Sequence, residues 1–249
     1  MMKKGIKKKE SESKGFTLRG LENTRIESLS DGVFAIAIGL LLISADAPST
    51  FEELKIFSKE FIPFAFTISL LMYIWYQHYL FFIRYGLRGP LTITLNTVLL
   101  FLILYYVYPL KFLFVVLVGS YTALITGNRG MANELFTETI RMEDTGELML
   151  IYGLGAAAVF IVLALLNYLA LRKREELNLT KIEVVLTENT IRHNVVSASI
   201  PFLSAIIAGT HLAGSYTFML SGMIYMLYGV AMPLSAIKGA KKLEAITKD

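Results

Sequence analysis

The sequence predicts an all-α integral membrane protein with six transmembrane helices, on three observations. Hydrophobic residues make up 55% of the 249-residue chain, and the mean hydropathy is +0.57. Charged residues reach only 18% and gather in a few segments, as they do where hydrocarbon excludes them. Apolar stretches at 26–45, 61–83, 91–116, 148–171, 191–213 and 216–237 each approach the roughly 20 residues that cross a bilayer.

Residues 1–24 are polar and basic, with Lys3, Lys4, Lys7, Lys8, Lys9 and Lys14, and are expected to form a disordered cytoplasmic tail. The spans make one domain over 25–237, followed by a second polar cytoplasmic tail over 238–249. Span three reads on toward Ile125, with Pro109 as a kink point. Loop charges give the orientation. Arg84 and Arg88 follow span two, and Arg172, Lys173, Arg174 and Lys181 follow span four. The loops after spans one and three carry mostly acidic residues, including Glu52, Glu53, Glu60, Glu134, Glu138 and Glu143. Lysine and arginine stay on the inner side, so both termini and the even-numbered loops are expected in the cytoplasm, with the protein in the cell membrane. The basic ends are read as topology signals, not as a nucleic-acid surface. Ala45-Asp46-Ala47 imitates a signal-peptide cleavage site, but Arg25 and Asp31 do not suit a cleaved leader.

Several chemistries are excluded. The chain has no cysteine, so it has neither disulfides nor thiolate metal ligands. His193 and His211 lack metal-ligand company, and no metal or cofactor is expected. Gly153-Leu-Gly155 lies inside an apolar span and reads as a helix-packing face, since no strand precedes it as a nucleotide loop would need. Tyr105, Tyr106 and Tyr108 read as an interfacial belt at the outer end of span three. Ser197, Ser199 and Ser204 have no base nearby, so no enzyme is expected.

Span one differs from the others. Only Val33–Ile43 is continuously apolar or small, and the turns before it carry Arg25, Glu27, Ser28, Ser30 and Asp31. A charge at the bilayer centre costs about 2.5–3.5 kcal/mol on insertion scales, so this half lies at the interface or faces protein and water. Ile36, Leu40 and Ile43 form one helical stripe. Ser28, Gly32, Ala35 and Gly39 form an adjacent stripe of small residues, which lets helices approach closely. Periodicity alone leaves open whether the apolar stripe faces lipid, a neighbour or an axis.

The segment Arg25-Ile-Glu-Ser-Leu29-Ser30-Asp31 resembles the first-helix signature of the lysosomal potassium channel family, transmembrane protein one hundred and seventy-five, in its prokaryotic branch. Leu29 stands where the signature has Phe. Trp75-Tyr-Gln-His78 resembles the family's Trp-x-x-His, and Leu95-Asn96 with the apolar run to Pro109 resembles its third helix. The likeness covers residues 25–110. It implies a six-helix subunit that assembles in membrane lipid as a homotetramer. Four first helices would line a pore for potassium and other monovalent cations, with Ile36, Leu40 and Ile43 as the constriction. It also implies a network near the cytoplasmic side involving Arg25, Ser30, Asp31, Trp75, His78 and Asn96. Gly39 occupies a place where relatives often carry a hydroxyl, so the resemblance implies a constriction without a neighbouring polar layer.

No Thr-Val-Gly-Tyr-Gly segment occurs, which excludes a carbonyl cage of the usual potassium-channel kind. A narrow apolar ring instead closes by dewetting and selects modestly by dehydration cost. The alternative is a secondary transporter that moves protons through Asp31, Arg25 and His78. No sequence repeat between 26–116 and 148–237 supports that alternative.

Overall fold

The computed structural model describes residues 12–13, 15–43, 49–59, 61–128, 130, 144–210, 214 and 217–247. The lysine-rich start up to Lys9, Lys14, the Ala45-Asp46-Ala47 segment, the loop acids Glu134, Glu138 and Glu143, and His211 lie outside the described residues.

Among the described residues the chain is helical apart from a small antiparallel hairpin, β1 (Glu12–Ser13) and β2 (Phe16–Thr17). The helices are α1 (Arg25–Ile43), α2 (Phe51–Lys59), α3 (Phe61–Tyr85), α4 (Pro90–Thr126), α5 (Thr145–Arg172), α6 (Lys181–Thr210) and α7 (Thr217–Met223). A short 3-10 turn then leads into α8 (Tyr228–Thr247). Among the described residues, five helical segments are long and apolar enough to cross a membrane: α3, α4, α5, α6 and Met219–Ile246 of the last helical stretch. The protein is therefore a multi-pass, all-α membrane protein.

Three helices begin with the same local device. Thr24 and Glu27, Thr50 and Glu53, and Thr180 and Glu183 each bond reciprocally across the first turn, the carboxylate taking the threonine backbone N–H and the threonine Oγ1 taking the glutamate N–H. Each pair satisfies two donors that a helix start leaves open. The box at Thr180 starts α6 ten residues before the expected span at 191. At about 1.5 Å per residue, the 30-residue α6 and 37-residue α4 reach about 45 and 55 Å, well beyond a ~30 Å hydrocarbon core. Tyr105, Tyr106 and Tyr108 consequently sit near the middle of α4, not at its outer end.

The expected tails are also shorter than the sequence suggests. Residues 238–247 continue α8, where Gly239 O accepts from Asn189 Nδ2 at 3.2 Å and Lys242 pairs with Glu188. Residues 15–24 form a strap along the ends of α3 and α6. Phe16 is buried edge-to-face against Tyr85, with ring centroids 5.4 Å apart. Arg19 N and Gly20 N both donate to Ile83 O, at 3.1 and 3.0 Å. A Cβ at Gly20 would lie 2.1 Å from Phe82 O, so only glycine permits this approach.

The core joins α1, α3, α4 and α5 through Phe34, Leu41, Leu71, Phe81, Phe82, Leu99, Ile103, Leu163 and Leu166. Helices α5 and α6 pack along each other, and α8 packs on α6. There Gly153 lets α5 approach Pro201 O, where a Cβ would come within 2.5 Å. Gly155 admits Tyr106, whose hydroxyl donates to Ile151 O. The Gly153-Leu-Gly155 run is thus a packing face.

Candidate pore helix and its supports

Helix α1 is amphipathic in an unusual sense. Ser30, Phe34, Ala37 and Leu41 are buried on one face, at positions that repeat by four, three and four residues. The other face carries Arg25, Ser28, Leu29, Asp31, Gly32, Ala35 and Ile36, all exposed. Ile36 is 59% exposed and Leu29 65%. Leu40 turns about 40° from Ile36, so it is half-buried and leans on the core cluster. Ile43 is the last residue of α1, and its side chain lies outside the described part.

The buried face is fixed by a directional chain of hydrogen bonds. His78 Nε2 donates to Asn96 Oδ1 at 2.7 Å, since the amide oxygen can only accept. Asn96 Nδ2 donates to Ser30 Oγ at 3.0 Å, and Ser30 Oγ donates to Ile26 O at 2.8 Å. The three side chains are at most 2% exposed. One residue along, Trp75 Nε1 donates to Asp31 Oδ1 at 2.8 Å. His78 also contacts the rings of Phe34 and Phe82, with centroids 5.8 and 4.7 Å away. Ser30, Asp31, Trp75, His78 and Asn96 therefore join α1 to α3 and α4. Arg25 takes no part: it is exposed and makes no hydrogen bond or ion pair among the described residues. Asp31 bonds Trp75 while His78 bonds Asn96, so no hydrogen bond joins Asp31, Arg25 and His78 to one another among the described residues.

The family described as endosomal/lysosomal potassium channel TMEM175 matches residues 25–109. A protein of Marivirga tractuosa named "Potassium channel" is 40% identical over 238 residues, 94% of each chain. The chain belongs to the TMEM175 potassium channel family. A crystal structure of a variant of the potassium channel MtTMEM175, in complex with a nanobody–MBP fusion, superimposes with a TM-score of 0.82. It is 41% identical and covers 93% of this chain and 99% of that one. The TMEM175 match at 25–109 ends at Pro109, so it holds α1, α3 and the first part of α4, the helices the polar chain connects. TMEM175 is a channel family and not a family of enzymes.

Sequence reasoning missed the strap that leads into α1 and ties α3 to α6. Glu183 Oε1 accepts from Thr17 N at 2.8 Å and Arg19 Nη1 at 3.0 Å. Its Oε2 accepts from Arg19 Nη2 at 2.9 Å and Thr180 N at 2.8 Å. Arg19 spends its remaining donors on Leu177 O, Thr17 O and Asn178 O. The carboxylate is buried and the pair is bidentate, the geometry in which arginine cannot be exchanged for lysine. The signal was present as Thr180-x-x-Glu183 and as an apolar Phe16-Thr17-Leu18 between Gly15 and Gly20.

Proposed function

We propose that the chain is a potassium-permeable cation channel of the cell membrane, formed by four copies with six spans each. The carrying observation is the split character of α1. One face is locked to α3 and α4, while on the other Gly32, Ala35 and a 59%-exposed Ile36 stay uncovered by the described residues. One such helix cannot enclose a path. Four copies around an axis enclose one, and close approach there is helped by Gly32 and Gly39, where the described residues leave open space beside the backbone. In this reading Ile36, Leu40 and Ile43 form successive apolar layers of the constriction, and Arg25 faces a neighbouring copy. Asp31 and Trp75, with Ser30, His78 and Asn96, hold the rotation of the pore helix. Alpha1 is then the sixth span, and its charged first turns lie in the water-filled mouth. Both termini face the cytoplasm, as the loop charges suggest. Permeant potassium is the cargo and no cofactor is needed. Closure is by dewetting of the apolar layers, and preference for potassium comes from its lower dehydration cost.

The test compares Ile36→Asn with Ile38→Asn in purified channels recorded in a bilayer. Ile38 is half-buried and packed on the core cluster, a different face from Ile36. Ile36→Asn should keep the assembly, raise unitary conductance and lower potassium preference, whereas Ile38→Asn should reduce folded yield. Equal effects at the two positions would remove the stripe from the pore. Unitary currents at all would exceed any transporter's turnover, and their absence would favour proton-coupled transport.

A further inference from the structure

We propose that the crevice between α3, α6 and α8 is a binding site for the phosphate of an anionic phospholipid. It has a volume of about 330 Å³, and both Arg84 and Arg192 line it. Neither guanidinium has a carboxylate partner among the described residues. Arg192 Nη2 donates to Asn189 Oδ1 at 2.8 Å and Ser235 O at 3.2 Å, and its Nε reaches Ser235 Oγ at 3.4 Å, all of them neutral groups. Arg84 rests on the Phe16 ring, 5.1 Å from its centroid, and makes no hydrogen bond or ion pair among the described residues. Glu188, the nearest acid in the sequence of α6, is taken by Lys242. No Asp or Glu lines the crevice among the described residues. Two half-buried, uncompensated guanidinium groups in one crevice are an electrostatic cost that an anion removes, and a guanidinium fork matches phosphate geometry.

The shape of the crevice selects the source of that phosphate. Arg84 is the penultimate residue of α3, so the charged end lies at the end of a span, where headgroups sit. From Arg84 the wall runs back along α3 through Leu80 and Tyr76 to Tyr73, about 16 Å down the span. An amphiphile fits this wall along its length, whereas free phosphate uses only one end.

The experiment titrates the purified full-length protein with phosphatidylglycerol, phosphatidylcholine or inorganic phosphate and counts retained lipid by native mass spectrometry. Phosphatidylglycerol should be retained in preference to phosphatidylcholine, and inorganic phosphate should not compete. Arg84→Gln and Arg192→Gln should each weaken phosphatidylglycerol retention about fivefold and leave phosphatidylcholine unchanged. Arg84→Gln removes no hydrogen bond among the described residues, so it decides the matter even where Arg192→Gln fails to fold. Unchanged phosphatidylglycerol retention in Arg84→Gln would overturn the site. Efficient competition by inorganic phosphate would overturn the lipid assignment and make the crevice a site for a soluble anion. The readout does not involve conduction, so it stands or falls apart from the channel reading.

Discussion

Helices α1, α3 and α4 are tied by side-chain hydrogen bonds, whereas α5 and α6 are tied by closeness of backbone. In the first group His78, Asn96 and Ser30 pass donors from helix to helix, and half or more of the surface of Leu29 and Ile36 stays uncovered. In the second, Gly153 brings α5 against Pro201 O, and Ala157, Ala164, Ala198, Ala205 and Ala208 are buried along the two helices. Half of the apolar stretch of α5 is buried, against 17% of that of α4. The difference has a physical logic. Small-residue packing fixes the distance between two helices but tolerates rotation. A chain of directional bonds fixes the rotation of a helix that has few packing partners. The strap bridges the two arrangements, because Arg19 and Phe16 touch α3 and α6 together.

That contrast can be broken in graded steps. The largest effect is expected at the bridge. Arg19→Ala leaves Glu183 buried with only two backbone donors and should cost about 3 kcal/mol, read as a loss of folded yield and melting temperature. Arg19→Lys should recover only part of it, for want of the bidentate fork. Next comes the second group. Gly153→Ala puts a methyl 2.5 Å from a backbone oxygen and should destabilise by about 2–3 kcal/mol, whereas Gly32→Ala, with open space around it, should leave the melting temperature of the isolated chain unchanged.

A smaller effect is expected within the polar chain. Asn96→Ala strands the buried His78 N–H and should cost about 1–3 kcal/mol. Asn96→Asp keeps an acceptor for His78 and should recover part of the loss at neutral pH. Equal melting temperatures for Asn96→Ala and wild type would show that packing alone holds α1. The smallest change is Asp31→Asn, which keeps an acceptor for Trp75 Nε1 and should cost about 1 kcal/mol or less. In recordings it should disturb opening and assembly more than the potassium-to-sodium ratio. A variant that gates normally and changes only that ratio would move Asp31 from support to selectivity.

The fold class and the meeting of three quoted motifs were legible for plain reasons. Apolar runs of span length leave few alternatives to membrane helices. Ser30, Asp31, Trp75, His78 and Asn96 are polar groups beside or within apolar sequence, so they need partners, and the partners available are one another. Arg25 is the exception, because a charge on the first residue of a helix can reach water and needs no such partner. Helix ends were read less well. Hydropathy locates the part of α6 and α8 that lipid contacts, but a helix continues past the membrane for as long as capping and local pairs support it. Thr180 with Glu183, and Lys242 with Glu188, carry that continuation at low hydropathy. The strap was illegible to composition, since one buried phenylalanine and one buried ion pair hardly alter the average of a lysine-rich segment.

The strap also sets an order of events during synthesis. Arg19 and Glu183 are 164 residues apart. At about 5–20 residues per second, Arg19 leaves the ribosome on the order of ten to thirty seconds before its partner exists. Helices α1, α3, α4 and α5 are all made in that interval with the strap unlatched. The nascent chain must therefore hold Phe16 and Arg19 away from wrong partners until α6 arrives. The final closure registers that nearly three-quarters of the protein has been completed in the right place.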